Sequence, residues 1–425
     1  MPDGFAAKNA SPRDETSRLG RGTTVTPRVA LIGANGHGRW HRRRIAELRA
    51  GGIVSLVGLA DVQPIDPAPD VPAFTDHREL LTATQPDVVV ICTPPHTHLP
   101  IALDALRAGC DLLLEKPPVT SPADHETLLT ALQSTGRSCQ VGFQALGSVA
   151  WSRFRDALSP KTTGLTAVAS WKRDDTYYAR SPWAGRRMVG GRPVVDGALV
   201  NPLAHAVMQA LAAGAAAGAG RPRQLEVERY RVRPIEVEDT AFARITFETG
   251  LPLLVAVTLA GEDFIAGEIE ARGPDGTAVL EYPTDRLALP GSGHTDSARL
   301  DSGLPGSEAA RSDLAGFEAP DSGLIEVPGR TDLLADLLRH RAEGTPLLVP
   351  LEATADFTAV LEALTMPEAP EPQLLNSSTV AVEGPNRTIP GINALLRRAA
   401  AELRLPSELG VPWATTPYRR RLPVM

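Results

Sequence analysis

The sequence of 425 residues holds only three cysteines, Cys92, Cys110 and Cys139, odd in number and unclustered. That excludes a disulfide framework and a clustered zinc site, so no metal is expected. The three read as buried small hydrophobes in a reducing compartment, the cytoplasm. No run approaches the ~18 apolar residues that a membrane span needs. Residues 1–27 lack the apolar core of a secretory signal, and their polar, Gly-, Ser- and Arg-rich character predicts a disordered arm. Basic excess is missing too. The net charge is −7, which argues against non-specific nucleic-acid binding. Aromatic residues make up only 4 % of the chain, so a local cluster of them carries information. No internal repeat is visible.

What is present is ordinary for a globular protein: 43 % hydrophobic and 22 % charged residues, over a length that suits two or three domains. From Arg28 the pattern is regular. RVALIG is a short apolar strand ending in glycine, a helix pattern runs from Gly38 to Ala50, and strands follow at Ile53 to Asp61 and Asp87 to Thr93. CDLLLEK and SCQVGF continue the series, with helix patterns between. Apolar strands alternating with helices of this length predict βαβ units and an α/β Rossmann domain, a doubly wound parallel sheet, over residues 28–144.

Beyond Gln144 the texture changes. LTAVASWKR, TAFARITFE, LPLLVAVTL and GEIEARG are spaced like antiparallel strands showing one face to water. A long helix pattern from Val194 to Ala213 interrupts them. Residues 145–385 therefore read as an α+β second domain on an open, mainly antiparallel sheet. Residues 291–328, dense in Gly, Ser, Pro and Asp, read as a long irregular loop. Helices are expected at TDLLADLLRHRAEG and ATADFTAVLEALT. A C-terminal helical extension, 386–425, is expected to pack by the stripe Ile392, Leu395, Leu396, Ala399 and Leu403.

Between the first strand and the first helix lies Gly33-Ala34-Asn35-Gly36-His37-Gly38. In that context glycines let the backbone turn tightly and approach a pyrophosphate, whose charge the helix N-terminus meets. Asn35 stands at the middle glycine's place, and asparagine tolerates positive φ better than most residues. Asp61, 23 residues after Gly38, can accept a hydrogen bond from a ribose 2′-hydroxyl and repel a 2′-phosphate. The cofactor reading is NAD, with NADP disfavoured.

The stretch VVVICTPPHTHLPIALDALRAGCDLLLEKPPVT carries Thr93-Pro94-Pro95-His96-Thr97-His98 and Glu115-Lys116-Pro117. It resembles the glucose–fructose oxidoreductase and inositol dehydrogenase family, Gfo/Idh/MocA, in which a Thr/Ser-Pro-Asn-x-x-His run follows the third strand and Glu-Lys-Pro ends a later one. Pro95 replaces the family's Asn. The match holds from Arg28 to about Gln144 and more loosely to about residue 365. The resemblance implies that Thr93, Pro94, Pro95, Glu115 and Lys116 line the cofactor, and that Lys116 lies between nicotinamide and substrate. A partly desolvated lysine at a strand end can exchange protons near neutrality. His98 is either a cofactor-side residue or a helix-start residue.

The family's Asp-x-x-x-His pattern falls on Asn201 and His205. Four residues apart on a helix, the two would share a face, with His205 either a general base or a core histidine. Asn201 departs from the family's aspartate, and Asp196 is positioned to supply the missing charge. Ala145-Leu146 depart from basic residues that several relatives carry. The cluster DDTYYARSPWAGRR offers Tyr178, Trp183 and Arg186 to a sugar ring or its carboxylate, or else to a packed interface. The resemblance thus implies an NAD-dependent oxidoreductase acting on a sugar, sugar acid or cyclitol, as a homodimer or homotetramer. Two alternatives are a glycoside hydrolase that oxidises its substrate transiently with bound NAD, and a non-catalytic NAD or sugar sensor.

Overall fold

The computed structural model describes residues 26–291 and 323–423. The expected arm lies outside the described residues except for its last two positions, and most of the 291–328 loop lies outside them as well.

The first sheet has six parallel strands in the order β3-β2-β1-β4-β5-β6. They are β1 (Arg28–Ile32), β2 (Ser55–Ala60), β3 (Ala73–Phe74), β4 (Val88–Ile91), β5 (Asp111–Leu114) and β6 (Cys139–Val141). β1, β4 and β5 are central, and Val88–Ile91 and Asp111–Leu114 are buried at every residue. Helices on both faces remove water from both sides, which is why the strands read as unbroken apolar runs. The two-residue β3 is too short to leave a sequence pattern. The strand order reverses between β1 and β4, and at such a switch point the loops leaving the carboxyl ends of the strands open a crevice.

The second domain is built on a ten-stranded, mainly antiparallel sheet. At its centre β7 (Gly164–Lys172) pairs parallel with Pro252–Thr258 and antiparallel with Ala260–Gly273. The helix Ala204–Ala216 packs on one face, and the helices Leu333–Glu343 and Ala355–Thr365 turn back to the first domain. There Gln140 Nε2 donates to Asp336 Oδ2 at 2.8 Å, while the Val349 N–H donates to Gln140 Oε1 at 3.0 Å.

Two expectations need correction. The sheet does not show a face to water. Along Pro252–Thr258, Leu253, Val255 and Val257 join the core shared with the first domain, whereas Leu254 and Ala256 join a second core. That second core is closed by the chain's own C-terminal segment through Leu375, Ile389, Ile392, Leu396, Ala399, Leu405 and Leu409. Each fully buried aliphatic side chain contributes about 1.5–3 kcal/mol. The unbroken apolar run LPLLVAVTL is what two covered faces require. Both faces of this part of the sheet are therefore covered within the chain.

The helix expected from Val194 instead begins at Ala204. Pro202 has no N–H to donate back to residue 198, so a helix begun at Val194 would be broken in its interior. Residues 198–203 form turns.

Candidate active site

The glycine loop leaves β1 at Gly33, whose φ is +87°. A Cβ there would sit 2.2 Å from the Cys92 carbonyl oxygen, and one at Gly38 would sit 1.8 Å from that of Gly33. Both positions require glycine. No side chain caps the helix Gly38–Ala50, and a Cβ at Gly36 would meet no atom within 4 Å. The cradle is open where an anion approaches a helix start, and so fits a dinucleotide pyrophosphate. Asp61 holds this loop in place. Its Oδ2 accepts the Asn35 N–H at 2.9 Å and its Oδ1 the Gln63 N–H at 3.0 Å.

Beneath the loop, buried Glu115 accepts from buried His41 at 2.9 Å through Oε1, with His37 Nε2 at 3.6 Å from the same oxygen. These three potential ligand atoms lie within 4.8 Å of one another, and hydrogen bonding to one carboxylate accounts for the convergence. Burial pushes the Glu115 carboxyl up, but the two histidines outweigh it and hold the pKa well below the usual range. Glu115 thus ties His41 and the loop residue His37 together from below. The spacing of His41, one turn after His37, is a signal that sequence reasoning passed over.

His98 opens the helix His98–Arg107 and is fully buried. Its ring nitrogens lie 2.8 Å from the Pro117 carbonyl oxygen and 2.7 Å from that of Thr93. The cofactor-side alternative fails, since the ring ties the two motif loops together. Thr93, Pro94 and Pro95 stay half-buried at the end of β4.

Lys116 leaves β5 toward the second domain, half-buried. Its Nζ donates to Asn201 Oδ1 and to the Asn201 carbonyl oxygen, both at 2.8 Å. Asn201 Nδ2 donates in turn to Asp196 Oδ1 at 2.5 Å. Asp196 also accepts from Arg180 at 2.8 and 3.0 Å and from the Gly185 N–H at 2.8 Å. Burial lowers the Lys116 pKa, against the opposing charges of Glu115 and Asp196. No sequence spacing singles out Arg180 or the Gly185 amide.

Asn201 and His205 do not share a helical face, because Asn201 lies in the turn before the helix. His205 still reaches the same cleft, and its ring meets Phe143 edge-on at 5.7 Å between centroids. Tyr282 lies at 6.3 Å. Its Nδ1 is buried with no hydrogen-bond partner. Burial, then the adjacent Lys116 charge, push the imidazole down to about 3. A histidine so hard to protonate is a weak base.

The aromatic cluster divides. Trp183 stacks on the Arg180 guanidinium at 5.0 Å, and Tyr177 lies on its other contact at 3.8 Å. Arg180 thus joins Trp183 to the Asp196 carboxylate. Tyr178 turns inward against Tyr177 and Arg233, its hydroxyl buried without a partner. Arg186 pairs with exposed Glu236. In the structure Tyr178 thus packs inward and Arg186 forms a surface ion pair. The hairpin Met188–Val189 and Arg192–Pro193 reaches the first domain, where Arg192 lies 3.5 Å from the His96 carbonyl oxygen.

A parallel six-stranded sheet with a glycine cradle at its switch point, facing a second domain across a lysine, defines a dinucleotide-binding protein of the two-domain kind. Residues 27–143 match the Gfo/Idh/MocA oxidoreductase family, described as having an NAD-binding Rossmann fold. Among curated relatives, inositol 2-dehydrogenase of Paracoccus denitrificans is 30 % identical over 125 residues, covering 28 % of this chain and 37 % of that one. D-glucoside 3-dehydrogenase of Escherichia coli is 25 % identical over 125 residues, covering 29 % and 36 %. The match thus spans little more than a third of either relative. Over a wider span the fold is shared with the WlbA dehydrogenase of Bordetella pertussis, solved with NADH and UDP-GlcNAcA. That likeness has a TM-score of 0.61 at 18 % identity and covers 83 % of this chain and 100 % of the other. Myo-inositol 2-dehydrogenase of Lactobacillus plantarum follows at 0.58 and 14 %, covering 80 % and 96 %.

Proposed function

We propose that this chain is an NAD-dependent dehydrogenase that oxidises a secondary hydroxyl of a sugar, sugar acid or cyclitol, reversibly. The observation that carries the reading is the contact of Lys116 with Asn201 across the domain cleft, at the mouth of the dinucleotide cradle. The kinds of molecule named for the curated relatives and the structural neighbours, inositol, a glucoside and a nucleotide sugar, support the substrate class. NAD, when bound, supplies the hydride acceptor.

The chain's own residues do the rest. Gly33, Gly36 and Gly38 admit the pyrophosphate, and Asp61 takes the ribose end. Lys116 accepts the hydroxyl proton on Nζ. Burial helps here, because it favours the neutral amine that can take a proton. Asn201 offers its amide to the same hydroxyl, and His205, kept neutral, orients it. Trp183, stacked on Arg180, is a candidate floor for a sugar ring.

The test is a screen of polyols, sugars and nucleotide sugars with NAD, followed by the absorbance of reduced nicotinamide. Turnover with a hydroxylated substrate, lost in Lys116→Ala, supports the reading. Product formation with no net reduction of NAD would instead identify the hydrolase alternative.

A further inference from the structure

We propose that Asp196 is a positioning residue for Lys116, acting through the side-chain amide of Asn201. The geometric part stands without the dehydrogenase reading; only its kinetic consequence rests on that reading.

The argument starts from donor and acceptor chemistry. The Asp196 side chain is fully buried, and a carboxylate only accepts. The donors facing it are Arg180 Nη2, which reaches both oxygens, the Gly185 N–H and Asn201 Nδ2. The Asn201 NH₂ must therefore face Asp196, which turns Oδ1 toward Lys116. An ammonium only donates, so the other end of the amide is fixed in the same sense. Neither end can flip without placing donor against donor or acceptor against acceptor.

The backbone holds Asp196 as firmly. Val194, Val195 and Asp196 donate to the carbonyls of Arg187, Arg187 and Arg186 at 3.0, 3.3 and 3.1 Å. Val195 sits at φ +47°, a conformation that a β-branched residue adopts only under constraint from its surroundings.

The arrangement sets charge as well as direction. A carboxylate touching Lys116 would favour its charged form strongly. Here the carboxylate is withdrawn by one amide, and a neutral carbonyl meets the amine. Lys116 is held in place yet remains free to lose its proton. The groups facing it are Glu115 and Cys92 from the first domain, Asp196 and Arg180 from the 180–196 segment, and His205 from the helix.

The experiment reads Lys116 itself. The chain has four lysines, Lys8, Lys116, Lys161 and Lys172, so isotope-labelled lysine allows its titration to be followed by NMR in the full chain without cofactor or substrate. In Asp196→Asn the Lys116 midpoint should fall by roughly half a unit or more. In Asn201→Asp it should rise. Asp196→Asn with Asn201→Asp moves the charge forward, and should restore or exceed the wild-type midpoint. If Asp196→Asn does not fold, Asn201→Leu cuts the link while sparing the Asp196–Arg180 pair, and must itself shift the midpoint. An unchanged Lys116 titration in a folded Asp196→Asn protein, or in Asn201→Leu, overturns the proposal. With a substrate in hand, the pH profile of kcat should move with the NMR midpoint. A shifted midpoint in a chain that turns over nothing would sink the dehydrogenase reading and leave this one standing.

Discussion

The Asp61 carboxylate accepts the backbone N–H of Asn35 at 2.9 Å, so the residue proposed to select the cofactor also clamps the glycine loop. Selectivity and affinity are therefore coupled at this position. NAD should bind at least tenfold more tightly than NADP, about 1.4 kcal/mol. Asp61→Ala should narrow that gap and weaken NAD as well, because the loop loses its anchor. Calorimetry of both dinucleotides decides it, and equal wild-type affinities would refute the assignment.

Lys116→Ala should remove proton transfer and substrate positioning together. General acid–base groups contribute about 10²–10⁴-fold, so kcat should fall by that order. NAD affinity should hold, because the glycine loop and Asp61 grip the other end of the cofactor. The measurement is single-turnover reduction of bound NAD. A variant keeping more than about half the wild-type rate takes Lys116 out of the chemistry.

His205 makes a prediction that needs no substrate. Its folded pKa, about 3, lies below the unfolded value near 6.5. Between the two, the unfolded chain binds the extra proton, so stability falls as pH drops below about 6.5. Asp239, pushed up to about 6 by burial, acts in the opposite sense over part of this range. A difference measurement isolates His205. Relative to His205→Phe, which suits the Phe143 and Tyr282 surroundings, the wild type should lose up to about 1.4 kcal/mol per pH unit. Urea midpoints at pH 7 and pH 5 test it; parallel behaviour of the two proteins would show that His205 is not buried neutral.

The C-terminal helix Ile392–Glu402 covers one face of the large sheet, with Leu396 fully buried at its centre. Leu396→Ala should destabilise by about 2–5 kcal/mol. Leu396→Asp should lift the helix and expose Leu254, Ala256 and Phe242, giving concentration-dependent association by light scattering. A monodisperse Leu396→Asp protein with wild-type stability would mean that the helix does not seal this face.

The alternation of apolar strands and helices from Arg28 to Gln144, and the glycines at 33, 36 and 38, were legible in the sequence. Those features are local: strand period, turn geometry and helix start all act within a few residues. The Glu-Lys-Pro and Thr-Pro motifs likewise announced themselves in sequence order. The partners of those residues were not legible. Whether His98 faces a cofactor or two carbonyls depends on Pro117, 19 residues away. Whether Asn201 weakens or redirects the site depends on Asp196 and Arg180, which come together only once the 180–196 segment folds back. The second face of the large sheet was misread because its cover comes from residues more than a hundred positions downstream. Periodicity reports that a face is apolar, while tertiary packing alone decides which part of the chain removes it from water.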